Sequence, residues 1–143
     1  MLLRTERADD WRAVEELVRE AFWNVYEPGA HEHWLLHQLR KTGDFVASLS
    51  VVAIDEMQRI VGYVAYSKAK LMLDCGSEKT LLCLGPIAVS PDCQKKGVGT
   101  ELIQTTLELA RQEGWGAVTL MGDPRYYRRF DFRVAERWDI RAS

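Results

Sequence analysis

The stretch Leu84-Gly85-Pro86-Ile87-Ala88-Val89-Ser90-Pro91-Asp92-Cys93-Gln94-Lys95-Lys96-Gly97-Val98-Gly99-Thr100 constrains the fold most. It reads as an apolar strand over residues 80–89, a sharp stop at Ser90-Pro91-Asp92, and a helix beginning near Gly97. A second short strand over 117–121 follows that helix. A strand-helix-strand unit crosses over so that its two strands lie parallel. The first of these strands is almost wholly apolar, which suits a central position buried on both faces. Gly85-Pro86 interrupts it. Proline has no N–H to give to a ladder, so a bulge or splay is expected there.

The remaining elements fit around that unit. Residues 2–4 form a short first strand. Asp9-Asp10 offer helix-capping carboxylates, and Val14, Leu17, Val18, Ala21 and Phe22 then share one helical face. Pro28-Gly29 breaks the chain. A second helix is expected over 32–41, with Leu35, Leu36 and Leu39 as its apolar stripe. Two apolar runs, 45–54 and 60–67, flank a polar turn and read as an antiparallel hairpin. Val98, Leu102, Thr106, Leu109 and Ala110 form the inner face of the third long helix. Residues 125–129 are expected to make a helical turn or two, and 132–140 a last strand. The order is β-α-α-β-β-β-α-β-α-β, an α/β mixed sheet with helices on both faces.

The chain has 143 residues with no repeat or linker, so one domain over 1–143 is expected. Its net charge of −2 gives no overall basic footprint, which argues against nucleic-acid binding. The cysteines are Cys75, Cys83 and Cys93, an odd count without a CxxC pair, so neither a disulfide framework nor a zinc site is expected. The first residues run straight into charge, and no apolar run approaches the ~20 residues of a membrane span. The expectation is a cytoplasmic protein without membrane contact.

The loop before the third long helix carries the chemistry. The first turn of a helix has unpartnered N–H groups with partial positive charge. Gly97 and Gly99 allow close approach to the backbone, and Lys95 and Lys96 add positive charge, so the segment suits a pyrophosphate. Two common phosphate loops do not fit. A Walker A loop needs Lys after its last glycine, where this chain has Thr100. A dinucleotide fingerprint needs a third glycine where this chain has Leu102.

Gln-x-x-Gly-x-Gly after an apolar strand ending in Val-Ser-Pro resembles the acetyl-CoA loop of the GNAT N-acetyltransferases. The run Leu120-Met121-Gly122-Asp123-Pro124-Arg125-Tyr126-Tyr127-Arg128-Arg129-Phe130-Asp131-Phe132 resembles the ending of a YhbS-like branch of that family. The strong resemblance covers residues 81–132. It implies a sheet whose two parallel strands splay apart, with the pantetheine arm of acetyl-CoA inserted between them. Gln94, Lys95, Lys96, Gly97, Val98, Gly99 and Thr100 would bind the pyrophosphate. Backbone groups of Ile87, Ala88 and Val89 would pair with the pantetheine, and Tyr126 would also face the cofactor.

Acetyl transfer to an amine needs a proton acceptor for the amine, a donor to the developing oxyanion and a proton or hydrogen bond for the departing thiolate. The resemblance assigns the last task to Tyr127, with Tyr126 as the alternative. A phenol (pKa ~10) can donate to a thiolate (thiol pKa ~8.5) without full transfer. The other reading of Tyr127 is packing under the sheet. A backbone N–H near Ile87 is the implied oxyanion donor. Glu32, at i of an i, i+3, i+4, i+7 stripe, is the candidate base; a first-turn glutamate favoured by the helix dipole is the other reading. His31, His33 and His37 lie close together, but HExxH fails at Leu35, and no metal is expected. They and Trp23 and Trp34 are candidates for shaping an acceptor pocket. Arg125, Arg128 and Arg129 form a basic cluster suited to the 3′-phosphate of CoA, to an acidic substrate or to a solvated helix face. Cys93 has no evident histidine partner and the family transfers directly, so no acyl-enzyme is expected.

Two departures from the family pattern stand out. Asp131 replaces the usual glycine before the last Phe, and the chain stops at Ser143, where family members usually add another strand over the acceptor pocket. Either the C-terminal strand is missing, a partner subunit supplies it, or the chain is truncated; a homodimer would be one way to complete the site. The expected function is transfer of an acetyl group from acetyl-CoA to a primary amine of a small molecule or peptide, by direct attack in a ternary complex. The alternatives are a non-catalytic CoA-binding sensor or regulatory module and, more distantly, a nucleotide-binding domain with an unusual phosphate loop.

Overall fold

The computed structural model describes residues 1–25, 28–120, 127–130 and 132. Its strands are β1 (Leu2–Thr5), β2 (Val51–Ile54), β3 (Ile60–Met72), β4 (Glu78–Val89) and β5 (Val118–Thr119), and its helices are α1 (Trp11–Phe22), α2 (Glu32–Leu39) and α3 (Val98–Gln112). The strands form one sheet in the order β1-β2-β3-β4-β5. The first three pairings are antiparallel, and β4 with β5 is parallel. The strand-helix-strand unit therefore crosses over as the sequence predicts.

Alternation along the strands gives the sheet two apolar faces. Val51, Ala53, Val64, Tyr66, Leu82 and Leu84 meet Val98, Leu102, Ile103 and Ala110 of α3. On the other face, Val52, Ile54, Tyr63, Ala65 and Ala88 meet Val14, Leu17 and Val18 of α1 and Leu36 of α2. Helices thus cover both faces: among the described helices, α3 lies against one and α1 with α2 against the other.

Several elements differ from the sequence expectation. The apolar run 45–54 is a strand only over β2; before it, Val46 and the 3-10 turn Ala47–Leu49 wrap inward, with Val46 and Leu49 buried. Phe45 reaches only an isolated bridge to Ser67. An apolar run records that side chains are buried, not which backbone form buries them. Helix α2 is shorter than expected, and of its predicted stripe only Leu36 is fully buried, while Leu35 is exposed. A helix of two turns rests on the core through one residue, and its neighbour, about 100° further around, points away. Asp10 occupies the N-cap of α1, yet its side chain makes no cap bond there. It accepts instead from Arg7 N at 2.8 Å and from both Arg4 Nη atoms, at 2.7 and 3.0 Å, and so fixes the corner between β1 and α1.

The interruption in β4 is a bulge. Val64 faces Ile87 and Tyr66 faces Leu84, so Gly85 and Pro86 together oppose Ala65. Gly85 has φ 146°, and the Gly85–Pro86 peptide is cis. Beyond the crossover, the described part of the helical turn expected over 125–129 is helical, with Tyr127 leading into the 3-10 turn Arg128–Phe130. Apart from Phe132, the last strand expected over 132–140 lies outside the described residues, as do Tyr126, Arg125 and Asp131.

Candidate functional site: a strand edge, a loop and a tyrosine turn

β5 pairs with β4 only at Leu82↔Val118 and Cys83↔Thr119, supported by Leu82 N donating to Ala117 O at 3.0 Å. Among the described residues no strand pairs with that edge of β4 from Leu84 to Val89. The described pairing of the two parallel strands ends at Cys83↔Thr119, just before the bulge, and Ile87, Ala88 and Val89 beyond it carry backbone groups of the kind that can pair with an extended amide-containing ligand. Ala88 is buried toward α1, while Ile87 and Val89 are half-buried toward α3.

β4 then turns through the 3-10 turn Pro91–Cys93, where Cys93 N donates to Ser90 O at 2.8 Å. Gln94 is extended, and its Nε2 donates to Val89 O at 3.4 Å, folding the amide back toward the strand end. Lys95 takes φ 65° and Gly97, the N-cap of α3, takes φ 86°. These left-handed residues turn the chain so that helix α3 starts at the loop. A Cβ on Gly97 would meet nothing within 4 Å, so the space beside it is open. Its φ and this open approach, not packing, call for glycine.

At the start of α3, Glu101 N donates to Gly97 O at 3.0 Å. The N–H groups of Val98, Gly99 and Thr100 precede it and belong to the set a helix leaves for other partners. Val98 is buried, so its side chain serves the core and only its N–H can serve a ligand. Gln94, Lys95 and Lys96 are exposed, and Gly99 and Thr100 are half-buried. The open approach, the N–H cluster and two lysines fit a pyrophosphate.

Tyr127 packs with Phe130 and Phe132 against the α3-side core. Its ring meets Phe132 edge-on, with centroids 6.1 Å apart and planes at 81°. Arg129 Nη2 donates to Thr100 Oγ1 at 2.8 Å, which brings the tyrosine turn to the start of α3. The structure thus gathers the loop residues and Tyr127 on the α3 side.

Glu32 is elsewhere. It begins α2, on the opposite face of the sheet, with its side chain mostly buried and Oε2 3.8 Å from His31 Nδ1. His37 Nδ1 lies 2.8 Å from Glu15 Oε1. Among the described residues, no group of three or more His, Cys, Asp or Glu is placed to hold a metal ion. Among the described residues, no helix is long and apolar enough to cross a membrane. Trp23 and Trp34 are both exposed.

One polar cluster beneath α1 and α2 had no signal in the sequence reading. Arg40, just past α2, pairs with Glu6 and with Glu15 Oε2, the latter at 3.1 Å; the side chains of Arg40 and Glu6 are each only 2% exposed. Ser50 Oγ donates to Glu6 Oε1 at 2.8 Å and shares a 2.7 Å hydrogen bond with Tyr63 OH. The Arg40 guanidinium lies over the Trp11 ring, 5.1 Å from its centroid. Burial raises the Glu6 carboxyl above its ordinary range, against lowering by Ser50 and Arg40. Burial also raises the Tyr63 phenol far above its ordinary range. The cluster ties β1, α1, α2 and the β2–β3 pair together. Its members are so far apart in sequence that no local pattern joins them.

The family model described as "Acetyltransferase (GNAT) family" matches residues 9–132. The uncharacterised N-acetyltransferase YhbS of Escherichia coli K12 is 32% identical over 141 residues, covering 99% of this chain and 78% of the relative. A GNAT family acetyltransferase from Brucella melitensis, solved in complex with acetyl-CoA, superposes with a TM-score of 0.82 at 32% identity, covering 93% of this chain and 82% of that one. E. coli YhbS, solved in complex with CoA, gives a TM-score of 0.84 at 29% identity, covering 96% and 71%.

Proposed function

The chain belongs to the acetyltransferase (GNAT) family, and from that premise we propose that it transfers an acetyl group from acetyl-CoA to a primary amine of a small molecule or peptide by direct attack in a ternary complex. The observation that carries this reading is the joint placement of Ile87 and Val89 at the end of β4, the Gly97 loop at the start of α3 and Tyr127 on the α3 side. A single catalytic domain over 1–143 and a cytoplasmic location accompany the proposal.

Acetyl-CoA supplies an activated acyl group: the amine nitrogen forms the new N–C bond, the C–S bond breaks, and CoA leaves as its thiolate. The N–H groups of Val98, Gly99 and Thr100, with Gln94 and the Lys95 and Lys96 charges, hold the pyrophosphate at the start of α3. The β4 edge at Ile87, Ala88 and Val89 pairs with the pantetheine amides. A backbone N–H near Ile87 donates to the carbonyl oxygen as it gains charge. Tyr127 gives its hydroxyl proton or a hydrogen bond to the leaving sulfur. Where Tyr127 gives up its proton to the sulfur, the amine's proton returns to the phenolate; where Tyr127 only hydrogen-bonds the thiolate, the amine's proton passes through water to Glu32. Glu32 acts only from a distance, because α2 covers the opposite face. Tyr126 would face the cofactor beside Tyr127.

The test is calorimetric titration with acetyl-CoA on the wild type and on Gly97→Trp, followed by an amine screen that detects released thiol. Wild-type binding that the variant loses, with its circular dichroism unchanged, supports the loop assignment. A wild type that does not bind acetyl-CoA overturns it.

A further inference from the structure

Thr100 and Arg129 lie 29 residues apart and meet through a 2.8 Å hydrogen bond from Arg129 Nη2 to Thr100 Oγ1. Thr100 belongs to the first turn of α3, where Gly97 opens the approach. Arg129 belongs to the 3-10 turn that directly follows Tyr127, and its guanidinium lies over the Phe130 ring, 4.9 Å from the centroid. We propose that Arg129 is a positioning residue, which couples an anion in the Gly97 loop to the placement of Tyr127. This rests on the reading that the loop holds the CoA pyrophosphate and that Tyr127 serves the leaving sulfur.

The chemistry favours a link of this kind. A hydroxyl that accepts from a guanidinium keeps its own proton to donate, so Arg129 orients Thr100 to offer that proton to an anion. The guanidinium is always charged, and its planar fork matches phosphate oxygens. A hydrogen bond between an exposed arginine and a neutral hydroxyl is weak on its own. A phosphate beside Thr100 would accept from the guanidinium as well, adding a bond between two ionised groups that is roughly twice as strong as a neutral one and geometrically defined. The gain is local to Arg129, but the backbone passes it on. Tyr127 meets Phe132 edge-on and all three of Tyr127, Phe130 and Phe132 pack against the α3-side core, so holding Arg129, which lies between Tyr127 and Phe130 in the chain, limits the movement of the Tyr127 ring. Filling the loop then sets the proton donor before transfer begins.

Hydrogen–deuterium exchange with and without acetyl-CoA tests this without knowing the acceptor. In the wild type, acetyl-CoA should slow exchange both in the loop, 94–100, and in the turn, 127–132. In Arg129→Gln the loop should stay protected, with affinity lowered roughly tenfold or less, as for loss of one charge-assisted contact, while the turn loses its protection. Thr100→Val should give the same split, and Arg129→Lys, which keeps the charge but not the fork, should restore part of it. Once an acceptor is found, Arg129→Gln should lower kcat and leave the acceptor KM unchanged. Exchange of the β2–β3 amides reports that each variant is folded. Turn protection in Arg129→Gln equal to that in the wild type overturns the coupling alone. A wild-type loop that acetyl-CoA fails to protect overturns the cofactor reading and the coupling with it.

Discussion

Gly62 on β3 lies directly under Val98, the first residue of α3: a Cβ on the glycine would stand 2.7 Å from Val98 Cγ1 and 2.9 Å from Leu102 Cδ1. The start of α3 is therefore held by close contact with the sheet at a position that has no side chain. Gly62→Ala forces the helix outward or the two side chains off their rotamers, at a cost of about 1–3 kcal/mol. Urea unfolding should show that loss, and Val98→Ala in the Gly62→Ala background should recover part of it. Because the displaced residue adjoins Gly97, acetyl-CoA affinity should fall as well. Unchanged affinity in a destabilised Gly62→Ala protein would mean that α3 yields further along, at Leu102.

Tyr127→Phe separates an enzyme from a CoA-binding sensor. The ring keeps its packing with Phe132 and loses only the hydroxyl. An enzyme that uses this hydroxyl on the leaving thiolate should lose about 10²-fold or more in kcat, with acetyl-CoA affinity changed less than about twofold. A sensor has no turnover to lose, and its binding should be equally unaffected. Steady-state thiol release alongside calorimetry reads both quantities.

How much was legible in the sequence depended on how far apart the causes lie along the chain. The β4–loop–α3 unit could be read because its causes are local: an apolar strand, a proline stop, and glycine where the backbone turns left-handed at Gly97. The bulge was foreseeable from Gly85-Pro86 for the same reason. Gly62 carried no such signal, since its need for glycine comes from α3 crossing above it. The run 45–54 reads as one strand but is not, because Val46 and Leu49 are buried by a turn that an apolar pattern does not distinguish from a strand. Glu32 could be placed on a helix, but the face of the sheet that α2 covers follows from the whole topology.

The Arg40 cluster was invisible for that reason too, and it makes a strong stability prediction. Arg40→Met removes the cation between Glu6 and Glu15 and leaves an acid with a 2% exposed side chain without its charged partner. Removing one member of a buried pair costs about 3–5 kcal/mol. It also removes the stacking on Trp11. Adding Glu6→Gln should recover part of the loss by neutralising the stranded carboxylate. If the double variant is no more stable than Arg40→Met in chemical denaturation, the loss lies in packing, not in stranded charge.

The two carboxylates near the end of β1 should give pH dependences of opposite sign. Asp10 is held below its ordinary range chiefly by the hydrogen bond from Arg4. A lowered carboxyl stabilises the fold above its unfolded pKa, and that contribution disappears as pH falls through the folded value. Asp10→Asn should therefore cost about 1 kcal/mol at pH 7, as for a well-formed, partly exposed pair, and the difference from wild type should shrink as pH drops below about 4. Glu6 is raised, chiefly by burial. The folded protein then holds that proton more tightly than the unfolded chain, so the contribution is full below the unfolded pKa and is lost as pH rises through the folded value. Relative to Glu6→Gln, the wild type should lose stability as pH climbs from about 4.3 upward. Unfolding free energies of the three proteins between pH 3 and 7 would test both signs, and parallel profiles for all three would overturn the assignment of these shifts to Arg4 and to burial.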